Sequence, residues 1–455
     1  MSISVGLNSA MRALLAQQQA MDAVAHNVAN VNTPGYTRQR VILQQGGAVT
    51  ANGIGGGVDF QRVERVRDLF VDMQTYREAG TAGDFHARSA SLGNIEASLA
   101  QTGPGGLQAA MDQFFNSWRD LANAPEQSAM RAGVIQAGQE FAATVNRVAR
   151  GLEDARLDAN NRIVTDVTEV NSLAERLAFL NVRIVETRAT GNPASDLSDE
   201  RDLTLTRLSH LVDVHTVQSD TGSMEVFVGG RSLVSNGNFE QVDLVRNPLN
   251  GNYHDLEWRS DGDPVLVRSG EIGGLLHQRD TDIPGRIASL DALVAQIALD
   301  VNTAHALGFA QDGVTTGTAF FTGTTATTLA VAAPVVANPG LVATATAAAS
   351  IGDGRNALAI ADLAQTLSMS AGSEDYGAFL NGIVTSVGVA TRDAEWRATS
   401  QDMRLQHLET LRQSASGVNL DEEMVSMVQY QRGYEAAARM IRAVDEMLDS
   451  LMRLT

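Results

Sequence analysis

Between residues 134 and 184 one apolar stripe runs without a gap. Val134, Phe141, Val145, Val148, Leu152, Ala155, Ala159, Ile163, Val167, Val170, Leu173, Leu177, Leu180 and Ile184 recur at steps of three, four or seven. That period is helical. At 1.5 Å per residue the stretch makes a rod of ~75 Å. A helix of that length does not fit inside a compact small domain, so the fold must be elongated, with other elements laid along the rod.

The rest of the chain is nested around this rod. Residues 36–66 read as extended, with a glycine-rich turn at GGAVTANGIGGG and alternation in VDFQRVERV. From about residue 67 the period becomes helical. Residues 211–280 switch to a two-residue period with turn signals in MEVFVGG, SNGNF and RNPLNGN, which predicts a small inserted β domain. Helix returns at 284–306 on Ile287, Leu290, Val294, Ile297 and Val301, then a loop with short strands covers 314–350. Two further helices cover roughly 355–370 and 376–415. No internal repeat of fixed period is present.

Both ends of the chain carry an amphipathic helix. Leu7, Met11, Leu14, Gln18, Met21, Ala25 and Val28 follow a 3.5-residue period, a coiled-coil seam with one polar position. At the other end Leu420, Met424, Met427, Gln431, Tyr434, Ala438, Ile441, Leu448 and Met452 do the same, interrupted by Asp445. Asp421, Glu422 and Glu423 occupy the first turn, where the helix dipole favours acidic groups. The first helix stops in NVANVNTPGYTRQR. Asn30 and Asn32 weaken it, Pro34 forces Thr33 out of the helical region, and Gly35 permits a turn. A chain that goes out and returns leaves its two ends at one pole. Leu7, Met11, Leu14, Met21 and Val28 are therefore expected to pair with Met424, Met427, Tyr434, Ile441 and Leu448, with Asn30, Asn32, Pro34 and Gly35 as the hinge. The fold class is α+β, mainly α: coiled-coil-like helices from both chain ends, a helical body and a small inserted β domain. The expected segments are 1–34, 35–66, 67–210, 211–280, 281–417 and 418–455.

Composition removes most chemistry. A formal net charge of −19 disfavours nucleic acid and anionic lipid as partners. Cysteine is absent, which removes disulfides, thiol nucleophiles and thiolate metal sites. All 34 basic residues are arginine, so a Walker-type phosphate loop and Schiff-base chemistry are excluded. The N-terminus has no secretory-signal pattern, and no segment reads as the ~18 apolar residues of a membrane span. The chain is expected either to stay in the cytoplasm or to leave without a cleaved signal. In HQRDTDIPG, Asp280, Asp282, Gly285 and Asp291 hold positions of a calcium loop. Pro284 occupies another ligand position and the final bidentate glutamate is missing, so a helix start explains the stretch better. Gly53, Gly55, Gly56 and Gly57 match a dinucleotide loop only loosely and precede a strand. His210 and His215 lie together without further ligands. No catalytic, metal or cofactor site is expected.

Four stretches carry a resemblance. GLNSAMRALLAQQQAMDAVAHNVANVNTPGYTRQR resembles the N-terminal signature of bacterial flagellar axial proteins, the rod, hook and hook-associated group. GVDFQRVERVRDLFVDMQ, ATTLAVAAPVVANPGLVATATAAASIGDGRNALAIADLAQ and SGVNLDEEMVSMVQYQRGYEAAARMIRAVDEMLDSLM are similar to the hook-associated, hook–filament junction branch. The resemblance implies a non-enzymatic, secreted structural subunit that forms a homo-polymer through its terminal helices. Its implied partners are the hook protein below, a second junction protein above and a cytoplasmic type III export chaperone on the C-terminal helix, with no nucleic acid and no membrane. A rod or hook protein is the alternative within the group, although those have β-rich middles. A carboxylate-based glycan hydrolase in 211–280 is the alternative outside it.

Two further expectations follow. The β segment should be removable, because helix bounds it on both sides. Residues 1–33 and 418–455 should be mobile in a lone subunit and order on assembly, since isolated helices are stabilised chiefly by burying an apolar face.

Overall fold

The computed structural model describes residues 3–47, 56–99 and 105–453. Most of the glycine-rich turn, including Gly53 and Gly55, lies outside the described residues. The rod is longer than its apolar stripe: Ser128–Ala189 (α4) is one helix of 62 residues, ~93 Å end to end. Every residue of the stripe is buried except Ala155 and Leu173, which are half-buried and pack on the cores beside them.

Two hydrophobic cores are strung along α4. The first collects its N-terminal half with Leu107–Asn123 (α3), Ile283–Leu307 (α7), Arg355–Asp362 (α9) and the start of Tyr376–Ser416 (α10). Its centre is aromatic. Phe114 stacks on Phe141 at 5.9 Å and meets Phe321 at 5.2 Å, and Trp118 meets Phe320 edge-on at 5.2 Å. His305 is buried there and works as a neutral strut. Its Nε2 accepts from the Ala343 amide at 3.0 Å, which leaves Nδ1 to donate to the Thr318 carbonyl at 2.6 Å. Burial lowers its pKa.

The second core collects the C-terminal half of α4, Ser195–Leu211 (α5), part of Leu69–Leu99 (α2), Gly270–His277 (α6) and the β segment. The strands run from Val214 to Trp258. Val214–Gln218, Met224–Val228, Arg231–Ser235 and Asn238–Phe239 form an antiparallel sheet, and Val242–Asn247 pairs with Tyr253–Trp258. The alternation in MEVFV is that of a half-buried strand, with Met224, Val226 and Val228 inward.

This segment differs from the expected insert in two ways. It ends earlier, because 270–277 is helix. It is also not a separate unit, because its inward residues share one core with Ile163, Val167, Val170 and Leu177 of α4. Asparagines on α4 act as surrogate strand partners. Asn181 bonds both the amide and the carbonyl of Met224 (2.9 and 2.8 Å), and Asn171 does the same for Val242 (2.9 and 2.8 Å). Buried Arg279 donates to the His254 carbonyl at 2.6 Å.

The stretch around Pro284 also differs from expectation. No helix starts there: helix runs through from Gly270 and widens to a π turn at Gln278–Asp282. Proline lacks the amide and its ring collides with the carbonyl four residues back, and the wider turn relieves both. Asp280 is held by Arg279 at 2.8 Å and Asn250 at 2.9 Å. Contrary to the sequence reading, Gly270–Leu307 is long and apolar enough by length and composition to cross a membrane, at mean hydropathy 1.2. Its Ile272, Leu275, Ile283, Leu290, Val294, Ile297 and Val301 are buried in the two cores, while Leu299 and Leu307 are exposed.

Asp166 lies in the second core with Oδ2 unpartnered. Burial, with the Glu271 carboxylate adding to it, pushes its pKa up to about 7. The ordinary value is about 3.9, so its ionisation opposes the fold. That opposition is absent at acid pH, grows as pH rises and is complete above about 7. Asp166→Asn is expected to raise the melting temperature at pH 8 and leave it unchanged at pH 4. Melting curves of both proteins across that range check it.

Candidate functional site

The two ends of the chain meet, as the seams required. Ile3–Ala29 (α1) runs antiparallel to Leu420–Met452 (α11): Asn27 lies beside Glu423, and Gln17 beside Gly433. A Cβ at Gly433 would sit 2.9 Å from the end of the Gln17 side chain, which would have to turn aside.

The face that meets is not the one the large apolar residues mark. On α1 the buried positions are Ala10, Ala16, Ala20, Ala23, Val24 and Asn27. Leu7, Leu14, Met21 and Val28 are half-buried, and Met11 is 52% exposed. On α11 Glu423, Ala437 and Val444 are buried, while Met427, Tyr434 and Ile441 are half-buried. Met424 and Leu448 are exposed, so the expected pairing is corrected at Met11, Met424 and Leu448. The physical reason is size. Alanines let the backbones approach, and the bulky side chains are left at the margin or outside. Within one subunit the pair has a thin core, and Met11, Leu15, Met424, Val425, Val428, Met440 and Met447 remain on its surface.

The helix break is built from a residue that the sequence reading passed over. Asn27 is 1% exposed and uses its whole amide. Its Nδ2 donates to the Gln39 carbonyl (2.9 Å) and to Glu423 (3.0 Å). Its Oδ1 accepts from the Gln39 amide (2.9 Å) and the Tyr36 hydroxyl (2.8 Å). One side chain thereby ties the end of α1, the arm and the start of α11 together. The available signal was an asparagine at a buried helical position, which demands partners. Burial raises the Tyr36 pKa, with Asp196, Asp199 and Glu423 adding to it, so the hydroxyl stays a donor.

Asn30 and Asn32 lie in the turn after α1, where Asn30 accepts from the Thr33 hydroxyl at 3.1 Å. The helix ends at Ala29, so Pro34 does not stop it. Thr33–Tyr36 form a turn closed by the Tyr36 amide on the Thr33 carbonyl at 3.2 Å, with Pro34 at its second position and Gly35 third at φ 78°. Replacing both with alanine would therefore strain the turn rather than lengthen the helix. Gly35→Ala is expected to cost about 1–2 kcal/mol from its left-handed backbone, while Pro34→Ala costs less. Chemical denaturation of the two single variants checks the order.

From the turn the chain enters Gln39–Gln45 (β1), paired antiparallel with Val58–Arg65 (β2). This arm is pinned at its base, where Gln39 pairs with Arg65. Arg38 reaches Glu423 at 2.7 Å and Glu422 at 2.9 Å, and its amide donates to the Ser416 carbonyl. Arg65 reaches Asp199 and Asp202 at 2.6 Å each, and Thr37 donates to Asp199 from both its amide and its hydroxyl. A cleft of about 930 Å³ lies beside the break, lined by Asn32, Pro34, Gly35, Arg412, Gly417 and Glu422 among others. Among the described residues no group of three His, Asp or Glu side chains is arranged to hold a metal. The arrangement is a clamp, built to hold helices in register.

Comparison with known proteins fits each part of this geometry. Residues 92–321, which hold α4 and parts of both cores, match the family described as "Flagellar hook-associated protein FlgK helical domain". Residues 7–37 match "Flagella basal body rod protein", and residues 412–454 match "Flagellar basal body rod FlgEFG protein C-terminal". Flagellar hook-associated protein 1 of Bacillus subtilis (strain 168) is 29% identical over 99% of this chain and 98% of its own length. Its counterpart from Escherichia coli (strain K12) is 23% identical over 98% and 99%. The flagellar hook junction protein FlgK from Burkholderia pseudomallei shares the fold, with a TM-score of 0.66, 16% identity, and coverage of 75% of this chain and 99% of that one. The helical-domain match alone covers 230 of the 455 residues, and the chain belongs to the flagellar hook-associated protein FlgK family.

Proposed function

We propose that the chain is a non-enzymatic structural subunit of the hook–filament junction that polymerises through α1 and α11. The observation that carries this reading is the terminal pair itself. Its inner face is closed by alanines, and its large apolar side chains, Met11 and Met424 among them, lie outward where neighbouring copies can cover them. Leu7, Leu14, Met21, Val28, Met427, Tyr434, Ile441 and Leu448 form the margin that such contacts would complete. The hook protein below and a second junction protein above are the proposed axial neighbours. A cytoplasmic export chaperone would cover the α11 stripe until assembly, and the chain would leave the cell without a cleaved signal.

The helical body favours this reading over a rod or hook protein, since the matched middle is a hook-associated helical domain while both ends match rod families. A strain deleted for this chain is expected to build hooks, release flagellin unattached and regain motility on complementation. Filaments attached normally in the deletion strain would overturn the proposal. Hydrogen exchange tests the assembly step separately. Weak protection of 5–29 and 420–450 in dilute subunit, rising on polymerisation, is expected; strong protection in the dilute subunit would remove coupled ordering.

A further inference from the structure

The chain has three tryptophans, and the structure treats one differently. Trp118 and Trp258 are buried at 0% and 3%, whereas Trp396, in the middle of α10, is 70% exposed. It is not isolated. Val389 lies seven residues before it at 55% exposure, and Met403 seven residues after it at 60%. Residues seven apart on a helix stay on one face, drifting about 20° per step. Val389, Trp396 and Met403 therefore form a slowly drifting row of knobs that stays exposed among the described residues.

The inner side of α10 is already occupied. Val387, Ala394, Ala398, Gln401 and Leu408 are buried, and Gln401 donates to the Glu78 carbonyl on α2 at 3.1 Å. Arg397 covers the nearby Phe85 ring at 5.6 Å, and Asp402 bonds His86 at 2.8 Å. The row thus lies on the side of the helix that the fold leaves open.

We infer that the Val389–Trp396–Met403 row of α10 docks on a second copy of this chain, adding a lateral contact outside the terminal helices. The inference rests on the reading that the chain polymerises. Two observations select a second copy. A row at heptad spacing fits the grooves of a helix, and this chain offers helices of 62, 41 and 33 residues. Two copies at −19 each repel, so they can approach closely only where charge is balanced. The stretch 389–404 is such a place: it carries Arg392, Arg397 and Arg404 against Asp393, Glu395 and Asp402, and Arg397 pairs with Asp393 at 2.8 Å. A tryptophan flanked by such charges also has the composition of an interface anchor.

The absence of other exposed tryptophans makes the test direct. Full-length wild type and Trp396→Phe are compared by acrylamide quenching of tryptophan emission, dilute and after assembly on hooks isolated from the deletion strain. The difference reports Trp396. It is expected to be strongly quenched in the dilute chain and several-fold less so in the assembled one. Trp396→Asp is expected to keep the wild-type melting curve, since the position is exposed, and to assemble at least tenfold less well. Trp396 quenched equally in both states, or Trp396→Asp assembling like wild type, overturns the lateral contact while leaving polymerisation through the termini standing. A wild-type chain that does not assemble at all overturns both.

Discussion

Deleting residues 214–258 and bridging the gap with a short linker is expected to unfold the second core and leave the first one standing. The deletion removes the strands from the cluster in which Ile163, Val167, Val170 and Leu177 are buried. At about 1.5–3 kcal/mol per large apolar side chain, these four alone account for roughly 6–12 kcal/mol. A whole domain is stable by only about 5–15 kcal/mol. Asn171 and Asn181 lose both their backbone partners as well. The aromatic centre around Phe114, Trp118, Phe141 and Phe320 draws nothing from the strands, so it should persist. Hydrogen exchange on the truncated chain separates the halves of α4: protection is expected near 134–152 and lost near 159–184. Retained protection in both halves would restore the removable insert that the alternation in 211–280 had implied.

Arg38→Ala is expected to release α11 from the arm. Glu423 is 1% exposed and has two partners, Arg38 at 2.7 Å and Asn27 at 3.0 Å. Arg38 is the one cation on Glu423 among the described residues, and its removal leaves a buried carboxylate on a single amide. Breaking a buried ion pair from one side costs about 3–5 kcal/mol. The thin alanine seam between α1 and α11 has little to set against that. In the assembled state the variant should show faster exchange across 420–437 with unchanged exchange in α4, and it should attach filaments poorly in cells. Adding Glu423→Gln removes the stranded charge, so the double variant should recover a large part of the loss. A double variant no better than Arg38→Ala would show that the guanidinium acts by packing, not by charge.

Much of this fold is legible in residue order because a helix writes its burial into its period. The stripe from Val134 to Ile184 marks the buried face of α4, and the alternation in MEVFV marks a half-buried strand. The seams at both ends mark two helices, α1 and α11, that meet. Among the stretches that carried the resemblance, 6–40 pointed to the axial group, and 57–74, 326–365 and 416–452 pointed to the hook-associated branch.

What the period does not carry is the identity of the partner. Alternation in 211–280 reports that one face of each strand is covered. It cannot report that the cover is α4, reached through Asn171 and Val242 across 71 residues of chain. The terminal pair shows the same limit from the other side. Large apolar residues dominate any reading of a seam, so Met11, Met424 and Leu448 seemed to be its inner face. Alanine buries less area yet permits closer approach, and only the packed helices decided that Ala16, Ala20 and Ala437 would fill the contact. Asn27 is the sharpest case. Its role depends on Glu423, 396 residues away, and on Tyr36 and Gln39 beyond the turn. By itself the sequence determined which faces must be covered, because hydrophobic burial is a property of each segment. Tertiary structure decided what covers them, because complementarity belongs to two surfaces at once.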